Sequence, residues 1–564
     1  MNASRATLIA SLWATALLLG ACSKTADPDR MPIAAAAAST VAVAAPAPAA
    51  ANGDGGIAWR HAASDAEVDA AFAAAKAESR PVFVYWGAKW CPPCNQVKAT
   101  LFNRQDFIER TRAFVPVYVD GDSPGAQKIG ARFHVSGYPT MVLFNAAGQE
   151  VTRLPGEVEP ARYTQVMTLG MNAAQPVKAV LAEALAGGKD LTANDWRLLA
   201  FYSFDTDQQQ LVAKDRLPAT LAALAAACPA DPPETAMRLR LKALAAYDAK
   251  AKAKASTGQP ARDAAAQAAV MALLGDPARA REQTDLLTNS GAEIVRALSV
   301  KATPERGRLL AGFDAALKRL EADAALSRAD RMQALIAQVD LARIDEAEAD
   351  ASKPVAPPTV RAALPAALVA DVREQVARAD REITDGYERQ AVVTAAAYLL
   401  EHAGLGAESD ILLKANLAKS HSPYYLMSEL AGNAKKRGDK AAALDWSRRA
   451  FEKSEGPATR LQWGASYLAA LVEMAPNDDG AIEKTTAQLF DEAAAQPDAF
   501  YQRSGRSLAR VGGKLQAWNK GGGHRAALAR LQVRLDALCA APRLGDSERA
   551  TCRGLLSAPV KASA

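Results

Sequence analysis

The chain is poor in the residues that build most binding centres: of 564 residues only 6% are aromatic, five are His and six are Cys. The histidines are scattered, and beyond Cys91 and Cys94 no pair of cysteines stands at metal-ligand spacing, so no metal centre is expected. Basic blocks are absent apart from Lys250, Lys252 and Lys254, and the net charge of +5 is spread along the whole length. This excludes a nucleic-acid surface and leaves the three lysines as a solvated helix or loop face. After the amino-terminal segment no hydrophobic run reaches the roughly 18 residues that span a bilayer. What is abundant is alanine, within a hydrophobic fraction of 50%, a balance suited to helices packed closely through small side chains.

The amino terminus carries an address. Met1 to Arg5 is basic, Ala6 to Leu19 is apolar but too short to cross a bilayer, and small residues follow, the layout of a secretory signal. Leu19-Gly20-Ala21-Cys22 resembles the lipobox of bacterial lipoproteins. That resemblance implies cleavage before Cys22, lipidation of this residue and a membrane-tethered protein outside the cytoplasm. With Ser23 next, family sorting rules favour the outer membrane. Residues 23–58 are Ala/Pro-rich and hold too little apolar bulk to fold, so they read as an extended tether.

The chemistry-bearing segment is Trp90-Cys91-Pro92-Pro93-Cys94, set directly after the apolar run Val82 to Trp86 and followed by Gly137-Tyr138-Pro139-Thr140 further on. A lone C-x-x-C serves redox exchange, a static disulfide or half a zinc site, here with Cys539 and Cys552 as the other half. Its setting, buried strand then dithiol then helix, points to redox exchange. Around it the patterns predict a helix from a Ser64 cap to Ala77, strands at 82–86, 114–119 and 140–144, and helices at 94–111 and 124–133. An edge strand after Ala146-Ala147-Gly148 and a closing helix from Pro160 to Met171 complete the order.

This order, over residues 59–172, resembles the thioredoxin fold, and Arg80-Pro81-Val82 with Phe114-Val115-Pro116-Val117-Tyr118-Val119-Asp120 resembles periplasmic thiol:disulfide interchange domains. The resemblance implies a thiol-disulfide oxidoreductase that needs no cofactor. Cys91 would be the attacking nucleophile at a helix N-terminus, where free N–H groups and the macrodipole favour a thiolate, and Cys94 would resolve the mixed disulfide. Pro139 would be the cis-proline facing the pair. Trp90, Pro92, Pro93, Tyr138 and Pro139 would line the place where a substrate strand docks, with Trp90 as a lid. Expected partners are protein disulfides, a redox donor or acceptor, and the membrane through the anchor.

Departures from the family bear on direction. No histidine lies between the cysteines, which favours a reductase or moderate exchanger, whereas Tyr138 resembles disulfide isomerases. The buried acid of cytosolic thioredoxins is replaced by Tyr85, so water, Glu78 or Asp120 would have to move the Cys94 proton. Asp120-Gly121-Asp122 mimics a calcium loop but lacks its closing glutamate, Ala131 standing there, and reads as a turn.

Beyond Met171 the strand patterns cease. Ala/Leu/Arg/Glu segments with helical apolar spacing run to about Leu556, divided at Lys353 to Pro358 into halves at 178–350 and 359–560. Gly404 and Gly438 lie 34 residues apart, as do Pro423 and Pro457, the tetratricopeptide period, and Tyr425 to Pro457 fits one such repeat. The expected architecture is therefore an α/β thioredoxin fold followed by a large all-α, TPR-like region, with Tyr424, Tyr425, Trp446 and Trp463 as its core aromatics. Leu528, Leu531, Leu535 and Leu538 share a helix face with Cys539, and Cys552 lies across a turn, so a structural disulfide is expected there. Cys228 remains as a buried free thiol in an Ala-rich helix. Two functions compete: an anchored exchange enzyme whose array selects substrates, and a scaffold whose dithiol only tunes docking.

Overall fold

A computed structural model of the chain describes residues 56–154, 159–173, 175–247, 264–346 and 363–557. Cys22, residues 23–55 of the expected tether and the 250–254 lysines lie outside the described residues, as does the Pro-rich break at 353–358, whereas Ile57, expected within the tether, is buried in the apolar core of the sheet.

The first region is a five-stranded sheet flanked by helices. Strands β1 (Arg60–His61), β2 (Val82–Gly87), β3 (Val115–Asp120), β4 (Thr140–Phe144) and β5 (Glu150–Leu154) lie in the order β1-β3-β2-β4-β5. β2 and β3 run parallel, β4 runs antiparallel to both β2 and β5. Central β2 is buried along its whole length, which its unbroken apolar sequence Val82 to Trp86 requires. Helices α1 (Asp65–Ala77), α2 (Pro92–Thr100), α3 (Gln105–Thr111), α4 (Ala126–Arg132) and α5 (Pro160–Met171) cover the faces. The Ser64 side chain accepts from Glu67 N–H and starts α1, as its sequence promises.

Two local departures from the sequence pattern appear. The helix expected at 94–111 is two helices: the Leu101 and Phe102 amides both bond back to the Val97 carbonyl, and Arg104 adopts an extended backbone before α3 begins. The apolar spacing of Val97, Leu101 and Ile108 runs through this break, which is why periodicity alone missed it. β1 was missed too, because its two residues, Arg60 and His61, are exposed and carry no alternation.

The described residues after Met171 are helices joined by turns and irregular loops, with no strand. The helix Arg328–Ala342 contributes Met332, Ile336 and Val339 to one apolar cluster with Val372 to Leu430, and Ala334 and Leu341 to another with residues from Met237 to Leu326. One helix thus serves cores on both sides of the expected division at 353–358. Helices Pro423–Lys436 and Lys440–Lys453 form the pair read as a repeat, turning at Gly438 with φ +78°. Leu430, Ala443, Ala450 and Phe451 are buried in this pair, and Leu444 is half-buried.

A disulfide joins Cys539, ending the helix Arg525–Cys539, to Cys552 in the helix Asp546–Gly554, with a Cα–Cα separation of 5.6 Å. Cys228 is free and only half-buried, at the end of the helix Leu217–Ala227 rather than inside it. Burial raises its thiol to about 11. Among the described residues no helix is long and apolar enough to cross a membrane, and no His/Cys/Asp/Glu group could hold a metal.

Candidate functional site at the carboxyl end of the sheet

Three segments converge at one end of the sheet. Cys91 follows β2; Asp120, paired with Gly87, ends β3 and leads into Gly121-Asp122; and Pro139 precedes Thr140, which pairs with Trp86. Cys91 is the N-cap of α2, and its Sγ accepts the Cys94 N–H at 3.2 Å, the group's own share in satisfying that helix end. Pro92 and Pro93 occupy the first two helical positions, where a missing N–H is tolerated. Cys91 and Cys94 are disulfide-bonded, their Cα atoms 5.2 Å apart. Asn95 Nδ2 donates to the carbonyls of Lys89 (2.9 Å) and Cys91 (2.8 Å), which fixes the loop entering the helix. The Tyr138–Pro139 peptide is cis.

Of the groups considered for proton transfer, Glu78 falls away. It precedes β2 at the far end of a six-residue strand, about 20 Å from the dithiol end, and is bound to Arg80. Tyr85 is fully buried with no hydrogen bond to its hydroxyl, and burial, then the charge of Asp120, push its phenol well above the ordinary value. Asp120 stands at the correct end. Its carboxyl is raised above the usual range by burial first, with Asp122 adding to the effect while the Asp122 N–H, Lys98 and Arg503 oppose it.

The dithiol tip does not belong to the apolar core of its own sheet. Cys91 and Cys94 are 0% exposed and Trp90 1%, and all three sit in one cluster with Tyr424, Tyr425, Trp463 and the helices that follow. Trp90 stacks on Tyr425 with centroids 5.9 Å apart and meets Trp463 edge-on at 5.0 Å. Arg503 lies over the rings of both Trp90 (5.3 Å) and Tyr138 (5.4 Å). Of the aromatics expected to be array core, Tyr424, Tyr425 and Trp463 share the dithiol's apolar cluster, while Trp446 packs elsewhere. Trp90, expected to cover the site, is itself covered.

Polar groups fasten this contact. Gly456, with φ +88°, is the N-cap of the helix Pro457–Met474 and has no side chain to close it. Asp122 does so instead, accepting Thr459 N–H at 2.7 Å and Thr459 Oγ1–H at 2.6 Å. A Cβ on Gly456 would lie 2.5 Å from the Asp122 carboxyl carbon, so the close approach also needs glycine. The reverse holds at α4: its N-cap is Gly125, and Asp498 from the helical region accepts the Gln127 N–H at 2.6 Å. Arg503 donates to Asp122 at 2.8 Å, with their side chains only 9% and 13% exposed. Its own N–H goes to Gln127 Oε1, while Gln127 Nε2 donates to the Gly121 carbonyl and the Tyr138 hydroxyl. Burial works against the Arg503 charge, but Asp122, with help from Tyr138 and Asp120, holds it firmly protonated. The segment read as a simple turn, Asp120-Gly121-Asp122, is therefore a junction. Asp498, Thr459 and Arg503 carried no local signal, their partners lying more than 330 residues away.

A dithiol at the start of a helix that follows the central strand of this sheet order defines a thioredoxin-like domain of the thiol-disulfide oxidoreductase class. Residues 68–170 match the family model described as a thioredoxin-like domain. Among curated proteins the chain is similar to thiol:disulfide interchange protein DsbD 2 of Pseudomonas aeruginosa, 30% identical over 27% of this chain and 25% of that one. It is also similar to thiol:disulfide interchange protein DsbD of Klebsiella pneumoniae, 31% identical over 19% of this chain and 18% of that one. The chain thus spans a quarter or less of the relatives it matches. No solved structure matches it.

Proposed function

We propose that the protein is a membrane-tethered periplasmic oxidoreductase that exchanges disulfides with protein substrates through Cys91 and Cys94. The observation that carries this reading is the placement of Cys91 as the N-cap of α2, at the sheet end where Tyr138-Pro139 also lies. In the reducing direction the Cys91 thiolate attacks one sulfur of a substrate disulfide, forming a mixed disulfide and releasing the other sulfur as a thiolate. Cys94 loses its proton, attacks the Cys91 sulfur and displaces the second substrate thiolate. The two electrons gained by the substrate are those lost by the dithiol, which a dithiol donor must restore. Asp120 is the carboxylate positioned by topology to take the Cys94 proton, and its raised proton affinity suits that task. Tyr138 and Pro139, with Trp90, Pro92 and Pro93, form the substrate-facing rim. Tethering rests on the Cys22 lipobox, with the outer membrane as the favoured site and no nucleic acid among the partners.

Insulin reduction by the full chain, driven by dithiothreitol, tests this. Turnover lost on Cys91→Ser supports it. No turnover above Cys91→Ser, in the native chain or in a variant with the dithiol uncovered, overturns it. The burial of Cys91 inside a helical cluster favours one second reading, a scaffold whose TPR-like array binds partners while the dithiol tunes docking. There, partner binding and phenotype survive Cys91→Ser.

A further inference from the structure

The helical region does not merely follow the thioredoxin-like domain; it closes it. Four observations coincide at the dithiol. Both sulfur-bearing residues and Trp90 are sealed from solvent. The groups packed on Trp90, namely Tyr425, Trp463 and Arg503, come from three different helices of the array. Arg503 occupies the space over Trp90 and Tyr138, the two rings that flank the docking place of a substrate strand. The closure is also fastened reciprocally, since Asp122 caps an array helix that begins with Gly456 and Asp498 caps α4, which begins with Gly125.

We propose that the array is an intramolecular cap on the dithiol, latched by Asp122 and Asp498, and that exchange with protein disulfides proceeds only from an open form in which Arg503, Tyr425 and Trp463 have left the site. This rests on the exchange reading above and adds its regulation. A protein disulfide must bring a sulfur into line with Cys91, and a Cys91 that is 0% exposed admits none. The reactivity of the dithiol therefore scales with the open fraction, and whatever competes for the latch sets it. A partner offering an extended strand to Tyr138, or a surface that binds the freed inner face of the array, acts as the activator. The latch is well suited to such competition. Its carboxylates and glycine-started helices each find water as an alternative partner on opening, whereas the apolar contacts of Trp90 hold the closed form in place.

The test is the alkylation of reduced Cys91 by iodoacetamide in the full chain, followed residue by residue through peptide mass spectrometry. In the native protein Cys91 reacts at least 100-fold more slowly than in urea, and Asp122→Ala and Asp498→Ala each raise the native rate at least tenfold. Cys228, half-buried in a separate apolar cluster, is the internal control: its rate stays unchanged when a variant opens the cap without unfolding the chain. Where one variant accelerates Cys228 as well, the other, or the milder Thr459→Val, supplies the comparison. Native Cys91 reacting within tenfold of its rate in urea overturns the cap, as does suppression that no latch variant relieves while Cys228 stays protected. The two proposals fail separately. Rapid native alkylation with intact insulin turnover removes the cap and leaves the exchange; slow native alkylation, relieved by the variants, with no insulin turnover in any of them, removes the exchange and leaves the cap.

Discussion

Among the described residues the molecule holds two disulfides, Cys91–Cys94 and Cys539–Cys552, and both are buried within the same apolar cluster. Burial and bonding state therefore do not tell a working sulfur pair from a structural one. Backbone setting does. Cys91 opens a helix, with the Cys94 N–H on its sulfur and the Pro139 loop at the same sheet end. Cys539 closes one helix and Cys552 lies inside the next, so that pair joins two separate helices and neither sulfur meets a free helix N-terminus. The first pair is placed where a thiolate is favoured, the second where a cross-link restrains the chain.

The sharpest break between the two is catalytic. Cys91→Ser reduces insulin turnover by at least 100-fold, while Cys552→Ser keeps it within about twofold; equal losses in both would erase the distinction. Next in size is stability. The Cys539–Cys552 link closes a loop of 13 residues and contributes about 3 kcal/mol on the loop-entropy model, so Cys552→Ser lowers the midpoint of thermal unfolding by several degrees in a circular dichroism melt. An unchanged melt would deny the pair its clamping role.

A third measurement concerns Asp120. Its folded-state proton affinity is raised, so its ionised form is disfavoured by folding: the stability it contributes is intact below its unfolded value of about 3.8 and is lost as pH rises through its folded value. Asp120→Asn is consequently more stable than the native chain at pH 7, and the gap closes toward pH 4 in urea titrations. The same variant slows resolution by Cys94, visible as a mixed disulfide that persists. A variant equally stable and equally fast would remove Asp120 from the site.

The smallest effect is on closure itself. His421, from the helical region, shares a hydrogen bond of 3.1 Å with the Lys89 carbonyl beside the dithiol. Burial lowers its proton affinity, with Lys89 and Lys98 acting in the same sense and the Lys89 carbonyl and Asp385 in the opposite one; Tyr387 packs edge-on against its ring. With the closed-state value lowered, its contribution to closure is complete above about 6.5 and is lost as pH falls through the closed-state value. Below about pH 6.5 Cys91 alkylation in the native chain thus rises modestly relative to that in His421→Gln measured at the same pH, a ratio in which the falling thiolate fraction cancels.

How far the sequence foretold this follows from distance along the chain. β2, α2, β4 and α5 were legible because a fully apolar strand, a dithiol followed by prolines, and Pro160 are local signals. The placement of Cys91 and Cys94 at a strand-to-helix junction was legible for the same reason. The break between α2 and α3 was not, since apolar spacing crosses it unbroken. Nor was the cover over the dithiol. Asp122 looks like any turn aspartate until Thr459 is brought to it, and Arg503 like any surface arginine until Trp90 lies beneath it. Glu78 shows the reverse error: a carboxylate near in sequence stands at the wrong end of its strand.

The crossed capping carries a consequence for how the molecule comes into being. Gln127 waits for Asp498, 371 residues further on, so in a chain that emerges amino end first the partner that caps α4 comes well after the sheet. Over that interval the sheet and its dithiol can assemble with α4 unfinished and Cys91 uncovered. The newborn protein thus has a period of open chemistry that the finished one has closed, and the sulfur pair can reach its oxidised state before its own carboxyl half arrives to shut it in.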